Sequence, residues 1–239
     1  MKRPSSSTAV KVAGRVAEFV TSSAPADDAA QLVAGWLEQA HARQGFSRLG
    51  IAGGSALKAV ERLKALLPST TWRALRLTWV DERVVPVASP DSNRGAVERS
   101  GVLSTPPGLV LPMVLDGEDG GAACARFGPE FERRFDGVLD VALLGMGEDG
   151  HVASLFPGHA LLDAAGAVAH LDDSPKPPPA RVTLTLNVLR HPRTKRVVLA
   201  TGVGKRAALL GLRANDVSLP VSRLGALTVV TDQPLEETT

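Results

Sequence analysis

A histidine and an aspartate lie two residues apart in a glycine-rich stretch near the middle of the chain, residues 138–158. His151 is the type of side chain best suited to proton transfer near neutral pH, and Asp149 could fix its tautomer or stabilise its charged form. Glycines at positions 145, 147 and 150 permit positive φ angles and the close approach of a ligand. The spacing predicts a catalytic site in which His151 and Asp149 act together.

The residues before these glycines predict the element that positions them. Residues 138–144 form a short, mostly apolar run that is rich in branched aliphatic side chains, which is typical of a strand buried on both faces. In parallel α/β sheets, ligands bind beyond the carboxyl ends of such strands. We therefore expect His151 to face a cleft at that edge of a sheet.

A second glycine turn, Gly53-Gly54-Ser55, lies between a predicted strand at residues 49–52 and a predicted helix at residues 56–67. Backbone amides at the start of such a helix form a ready anion site, and Ser55 could either cap the helix or bind a phosphate oxygen. On its own the tripeptide favours an ordinary tight turn. The sequence contains neither a nucleotide P-loop nor a dinucleotide-binding fingerprint at this turn.

The next predicted strand, residues 75–80, ends in Asp81, Glu82 and Arg83. A strand end delivers side chains to the cleft, so Asp81 and Arg83 are candidate substrate-binding residues. The guanidinium of Arg83 has paired donors that suit a phosphate or carboxylate. A local ion pair with Asp81 or Glu82 explains the triplet equally well.

Two further polar groups precede predicted helices. Asn93 ends the polar run 91–93, which precedes a helix predicted to run toward Leu103. Capping of this helix is the simpler interpretation of the run, and ligand binding is the alternative. Lys205 follows two glycines in a turn like that at Gly53 and Gly54, and is a candidate phosphate cation.

Strands alternate with helices along the chain, which predicts an α/β fold with a mainly parallel sheet flanked by helices on both faces, Rossmann-like, with a small appended lobe as an option. We expect one domain over residues 9–235 after a flexible tail at residues 1–8.

Residues 122–135 predict a helix, interrupted or started at Pro129, whose phenylalanines pack in the core. The proline-rich loop at 170–179 either borders the cleft or is a stiff linker. The remaining predicted strands are an edge strand within 104–112 and runs at 181–186, 196–200 and 224–231.

Composition excludes several classes of protein. The chain has 27 Lys and Arg against 25 Asp and Glu, scattered along its length, which does not indicate a nucleic-acid partner. One cysteine excludes an intrachain disulfide, and no apolar run approaches the roughly 18 to 20 residues that span a bilayer. We expect a cytoplasmic protein with no membrane partner, a monomer or weak dimer.

The residue inventory favours proton transfer on a phosphorylated small molecule. The sequence has no serine nucleophile elbow and no HExxH-type metal spacing, and a metal shared by His151 and His159 is disfavoured by the Pro157 between them.

Four motifs, in order from about residue 10 to residue 232, resemble the 6-phosphogluconolactonase family. They are Asp-Glu-Arg-Val-Val-Pro with Ser92-Asn93 downstream, Gly-Met-Gly-Glu-Asp-Gly-His-Val-Ala-Ser-Leu-Phe-Pro-Gly-His, Ser-Pro-Lys-Pro-Pro-Pro-Ala-Arg-Val-Thr-Leu-Thr, and Gly-Val-Gly-Lys. The resemblance implies the fold shared with glucosamine-6-phosphate deaminases and ribose-5-phosphate isomerases, and on this basis we expect no cofactor and no metal. It also implies hydrolysis of 6-phospho-D-glucono-1,5-lactone in the oxidative pentose phosphate pathway, with His151 as the base and Arg181 joining Gly54, Ser55, Arg83 and Lys205 around the phosphate.

Two departures and two alternatives accompany the resemblance. Ala56-Leu57 stands where the family has Thr-Pro, which removes one hydroxyl from the phosphate turn, and the last strand lacks the Trp often found before Asp232.

A deaminase or isomerase of the same fold would carry an acid after the Asp-Gly-His segment, where this chain has residues 154–157, Ser-Leu-Phe-Pro. A non-catalytic sugar-phosphate sensor would need a DNA-binding module, for which residues before Asp27 are too few.

Overall fold

The computed structural model describes residues 6–12 and 15–235. The strands within these residues are β1 (Ser6–Val12), β2 (Arg15–Thr21), β3 (Ser47–Ile51), β4 (Leu75–Trp79), β5 (Asp81–Arg83), β6 (Leu109–Leu111), β7 (Val141–Gly145), β8 (Val168–Leu171), β9 (Arg181–Leu184), β10 (Lys195–Ala200) and β11 (Leu227–Thr231). The α-helices are α1 (Pro25–Gln44), α2 (Ala56–Leu66), α3 (Ser69–Arg73), α4 (Asn93–Arg99), α5 (Gly120–Phe135), α6 (Leu186–Leu189) and α7 (Arg206–Arg213).

Eight of these strands form one sheet in the order β1-β2-β11-β10-β7-β3-β4-β6. The β1–β2 pair is antiparallel, and the other pairs in the sheet are parallel. Every residue of β3 and β11 is buried, so these strands are covered on both faces. The predicted mainly parallel sheet flanked by helices is confirmed, and β7, which carries the histidine turn, lies near its centre.

Helices α1 and α2 pack on each other and against β3 and β7. Proline in the first turn, Asp27 and Asp28 near the positive end, and Gly45 at φ 81° after the last turn account for the bounds of α1. Helix α5 runs through Pro129 and buries its phenylalanines as predicted, with neighbouring rings 5.6 and 5.2 Å apart.

A second, antiparallel sheet forms a small lobe beside the main one, in the order β5-β9-β8. The run predicted at residues 181–186 therefore joins this lobe, as β9, and does not extend the parallel sheet. The lobe is joined to the main sheet through Val80, whose amide donates to Ile51 O and whose carbonyl accepts from Leu184 N. The charged triplet that follows β4 thus lies in the lobe, at the carboxyl end of the main sheet.

Several predicted bounds differ from the structure. The strand predicted at 138–144 begins at Val141, because Asp136 and Gly137 turn at positive φ and Asp140 directs its carboxylate to the Arg48 amide and guanidinium. The helix predicted to reach Leu103 ends at Arg99, before Gly101 at φ 74°. Strands β1 and β2 were not predicted; β1 begins at Ser6, within the predicted tail, and residues 1–5 lie outside the described residues.

None of the helices in the described part of the chain combines the length and the apolar character that a bilayer crossing requires.

The two serines considered as helix caps differ in the structure, and they provide a matched stability test. Ser92 Oγ accepts a hydrogen bond from Gly95 N at 2.9 Å, whereas Ser55 makes no capping bond at the start of α2. We expect Ser92→Ala to lower the free energy of unfolding by about 1 kcal/mol and Ser55→Ala to leave it nearly unchanged. Urea denaturation of both variants measures this, and equal losses would contradict it.

Candidate active site

The turn after β7 is closed by backbone hydrogen bonds that hold His151 and Asp149 on the same side. Gly147 N donates to His151 O at 2.9 Å, and Gly150 N donates to Gly147 O at 3.1 Å. Gly150 has φ +76°, a conformation that side chains other than glycine rarely adopt. A Cβ on Gly147 would lie 2.0 Å from His151 Nδ1 and 2.3 Å from Asp149 Oδ1, so this position has room only for glycine.

His151 and Asp149 form a short, direct hydrogen bond. Asp149 Oδ1 lies 2.6 Å from His151 Nδ1. Because an ionised carboxylate can only accept, the Nδ1 proton belongs to this bond, and Nε2 of the neutral ring carries the lone pair. Nε2 has no hydrogen-bond partner among the described residues. The ring can therefore accept a proton at Nε2.

The surroundings of the pair keep the imidazole neutral and the carboxylate charged. Burial, to which the Phe156 ring contributes at 4.7 Å, lowers the pKa of His151 and outweighs the raising effect of Asp149. Burial would raise the pKa of Asp149, but the hydrogen bond and charge of His151 bring it below its ordinary value. At neutral pH His151 is thus in the form that removes a proton.

A cavity of about 330 Å³ lies in front of His151, at the carboxyl ends of β3, β7 and β10. It is lined by Ala52, Gly53, Gly54, Ser55, Asp81, Arg83, Asn93, Gly145, Met146, Gly147, His151, Ala153, Lys176, Arg181, Thr201 and Lys205. All the predicted site residues line this cavity except Asp149, which is hydrogen-bonded to the lining residue His151. The proline-rich loop borders the cavity with Lys176, as one of its two interpretations predicted.

The Gly53-Gly54-Ser55 turn packs against Asn93. A Cβ on Gly53 would lie 1.8 Å from Asn93 Oδ1, so the glycine allows this contact. Asn93 Nδ2 donates to Asp81 O at 2.9 Å, which ties the turn to β5. Gly54 has φ +63°, and the Ser55 hydroxyl, free of a capping bond, lies at the start of an eleven-residue helix. This geometry leaves amides and a hydroxyl available to an anion.

Asp81 and Arg83 differ in their surroundings. Asp81 is 5% exposed, and its Oδ2 accepts from Ser154 Oγ at 2.8 Å. Arg83 donates from Nη1 to Asp91 O at 2.6 Å, while its buried Nε has no partner. The local ion pair that the sequence left open for Arg83 does not form. Arg83 lines the cavity, and its Nη2 has no hydrogen-bond partner among the described residues, so a charged donor is left for an anion.

Glu82 organises the site in a way that its position in the sequence did not indicate. Its carboxylate accepts from the amides of Arg83, Asn93 and Arg94 at 2.7, 2.8 and 2.6 Å. Burial raises its pKa above the ordinary value, against the lowering effect of these amides. Glu82 therefore fixes Asn93 and the start of α4 relative to β5, although it does not line the cavity.

Arg181 is held by its own loop. Its Nε donates to Pro178 O at 3.0 Å, and its Nη2 donates to Lys176 O at 2.9 Å and Pro177 O at 3.0 Å. Burial lowers its pKa, and the charge of Arg83 lowers it further. Nη1 is the guanidinium nitrogen left for a ligand.

Lys205 and Lys176 are the two lysines of the cavity. The Lys205 ammonium has no hydrogen-bond or ion-pair partner within the described ranges, and the residue follows the turn at Gly202, whose amide donates to Asp232. Lys176, which the sequence analysis did not single out, lies 3.3 Å from Asp149 Oδ2. Its place in the proline-rich motif was visible in the sequence, but its distance in sequence from Asp149 gave no sign of this contact.

The chain matches known proteins along most of its length. The family model described as glucosamine-6-phosphate isomerases/6-phosphogluconolactonase matches residues 21–231. The chain is similar to 6-phosphogluconolactonase of Rattus norvegicus, 36% identical over 209 residues that cover 80% of this chain and 79% of the rat protein. It is also 35% identical to a probable chloroplastic 6-phosphogluconolactonase of Oryza sativa subsp. indica over 223 residues, covering 82% of this chain and 67% of the rice protein.

Solved structures of 6-phosphogluconolactonases are also similar to this chain. The structure of 6-phosphogluconolactonase from Thermotoga maritima superposes with a TM-score of 0.77 at 25% identity, covering 89% of this chain and 96% of that one. The enzyme from Trypanosoma brucei superposes with a TM-score of 0.69 at 26% identity, covering 89% and 95%. The chain therefore belongs to the glucosamine-6-phosphate isomerase/6-phosphogluconolactonase family.

Proposed function

We propose that this protein hydrolyses 6-phospho-D-glucono-1,5-lactone to 6-phospho-D-gluconate, as a step of the oxidative pentose phosphate pathway, with His151 as general base. The observation that carries the proposal is His151, bonded to Asp149 through Nδ1 and free at Nε2, in one cavity with Arg83, Arg181 and Lys205. The printed names of the relatives support the same activity. The base and the cations suit the two ends of a phosphorylated lactone.

In the proposed mechanism, His151 Nε2 removes a proton from water while the water oxygen forms a bond to the lactone carbonyl carbon. The ring C–O bond of the tetrahedral intermediate then breaks, and the ring oxygen takes the proton back from His151. The resulting carboxylic acid releases its own proton to solvent. Asp149 orients the ring and stabilises the imidazolium that exists between the two transfers.

The phosphate takes no part in the bond changes, so its role in the proposal is to position the carbonyl. The amides of Gly54 and Ser55, Nη2 of Arg83 and the ammonium of Lys205 belong to residues that line the cavity, and we assign these groups to the phosphate. Binding energy from a non-reacting group can hold the reacting carbon in place. Asp81 and Asn93 supply an acceptor and an amide for the sugar.

Release of acid from freshly made 6-phosphogluconolactone tests the proposed activity. We expect wild type to exceed the spontaneous rate of lactone opening, and a rate equal to the spontaneous one would refute the proposal. Incubation with glucosamine-6-phosphate addresses the deaminase alternative. We expect no ammonia, because Leu155 and Phe156 are buried apolar residues where that reaction needs an acid.

Lys205→Met should raise KM for the phosphorylated lactone about tenfold, with little change in kcat. A tenfold change corresponds to the lower end of the free energy that a hydrogen bond to a charged group contributes. The reason is that, in the proposal, the Lys205 ammonium binds the non-reacting phosphate, and this ammonium has no partner in the described parts of the chain. Initial rates with phosphorylated and unphosphorylated gluconolactone measure the effect. An equal rise in KM for both substrates would contradict the assignment of Lys205 to the phosphate.

A further inference from the structure

A lysine from the loop between β8 and β9 contacts the proton-transfer pair. Lys176 Nζ lies 3.3 Å from Asp149 Oδ2 and 3.4 Å from His151 Nδ1. Nδ1 already directs its proton to Asp149, so the ammonium bonds the carboxylate and acts on the imidazole through its charge. Asp149 is thereby held from two sides, by His151 at Oδ1 and by Lys176 at Oδ2.

The backbone that carries Lys176 is itself held by side chains. The carbonyl of Lys176 accepts from Arg181 Nη2 at 2.9 Å and from Ser174 Oγ at 2.8 Å. Arg181 also donates to the carbonyls of Pro177 and Pro178. An arginine that bonds three successive carbonyls fixes the path of that segment. The segment is short, so fixing it also limits where the Lys176 ammonium can lie.

We propose that Lys176 is a positioning residue for the hydrolysis: its ammonium holds the Asp149 carboxylate against His151, and Arg181 holds Lys176 by bonding the carbonyls of residues 176–178. The inference rests on the proposed lactonase function for its kinetic consequences, but the contact itself does not. Arg181 acts in this proposal through Lys176 with its Nε and Nη2, which leaves Nη1 for the substrate phosphate.

The charges facing His151 give the expected direction of the pH effect. Asp149 faces it from its own turn, Lys176 from the loop after β8, and Asp81 from β5, while the Phe156 ring is uncharged. Burial lowers the pKa of His151 most, Asp149 and Asp81 raise it, and Lys176 lowers it. Removing the ammonium should therefore raise this pKa. Since the neutral ring is the base, activity would then be lost at a higher pH as the solution is acidified.

The first experiment compares Lys176→Met with Lys176→Arg in the full-length chain. We expect Lys176→Met to lower kcat about tenfold, part of the 10²- to 10⁴-fold typical of acid–base catalysis, and to move the acidic limb of the kcat profile to higher pH with KM little changed. Lys176→Arg should restore the position of the limb. A higher KM with an unmoved limb would show that Lys176 serves substrate binding alone and would overturn the proposal.

The second experiment tests the role of Arg181. Arg181→Lys keeps the charge but cannot bond three carbonyls, so we expect it to move the acidic limb in the same direction as Lys176→Met. The double variant should be about as impaired as the worse single variant, because both changes break one arrangement. Lys205→Met is the matched control, which removes a cavity lysine and should leave the limb in place. An Arg181→Lys variant that raises only KM would overturn this part of the proposal.

An NMR titration separates the proposal from the lactonase function. The ring signal of His151 is assigned by its loss in His151→Gln, and its pKa is then measured in wild type and Lys176→Met without substrate. An upward shift in Lys176→Met supports the contact, and an identical titration overturns it, whatever the catalytic activity. A wild type that titrates as expected but hydrolyses no lactone would refute the proposed function alone.

Discussion

His151→Ala should lower kcat for lactone hydrolysis about 10²- to 10⁴-fold, the range typical of a positioned acid–base group, and leave KM nearly unchanged. The reason is that Nε2 of His151 is the free ring nitrogen in the cavity, while its Nδ1 is occupied by Asp149 at 2.6 Å. The measurement is the initial rate of acid release, corrected for spontaneous opening of the lactone. A variant as fast as wild type would eliminate His151 as the base.

His159 provides the matched control for this substitution. It belongs to the same motif, but its Nε2 pairs with Asp173 at 3.0 Å and its Nδ1 accepts from Leu161 N, and it does not line the cavity. We expect His159→Ala to retain nearly full kcat. If both histidine variants lost activity equally, loss of folded protein would explain the result better than loss of a base.

Gly147→Ala should lower kcat about 10²-fold while the protein remains folded, the second largest effect we expect. A single Cβ at this position would lie 2.0 Å from His151 Nδ1 and 2.3 Å from Asp149 Oδ1, so the pair must move. Displacement of about 1 Å in a catalytic group can cost about 10²-fold in rate. Steady-state kinetics with a circular dichroism spectrum checks both parts of the expectation.

Gly145→Ala is the control for Gly147→Ala. Gly145 lies in the same cavity, but an added Cβ would meet nothing nearer than Ser55 Oγ at 3.9 Å. We expect a small effect on kcat. A loss of kcat in Gly145→Ala as large as that in Gly147→Ala would show that the turn tolerates no methyl group at either position. The close contact between a Cβ at residue 147 and the His151–Asp149 pair would then not explain the loss.

The parts of the site that the sequence could predict are local in the chain. Asp149, His151 and the close-approach glycine lie within five residues, so their spacing alone indicated a pair at the end of a buried strand. The strand itself was predicted correctly in type because residues 141–144 are a continuous apolar run. Its first residue was not, because Asp140 bonds Arg48, a contact between residues 92 positions apart.

The parts that the sequence could not predict depend on partners far along the chain. Lys176 and Asp149 are brought together by the small lobe, and that lobe was expected only as an option. Arg181 was expected to bind an anion, but residue type does not say which acceptor a guanidinium will find, and three neighbouring carbonyls take two of its nitrogens. Glu82 was noted only as a partner for Arg83, whereas it bonds backbone amides.

The pairing of β5 with β9 sets Arg83 directly opposite Arg181. Like charges at facing positions of an antiparallel pair repel, and here both guanidinium groups border one cavity. An anion placed between them removes this repulsion in the folded chain and has no such site in the unfolded one. Substrate recognition and the resistance of the small lobe to melting are therefore linked, and inorganic phosphate should raise the midpoint of thermal unfolding with a dependence on concentration that reports its affinity.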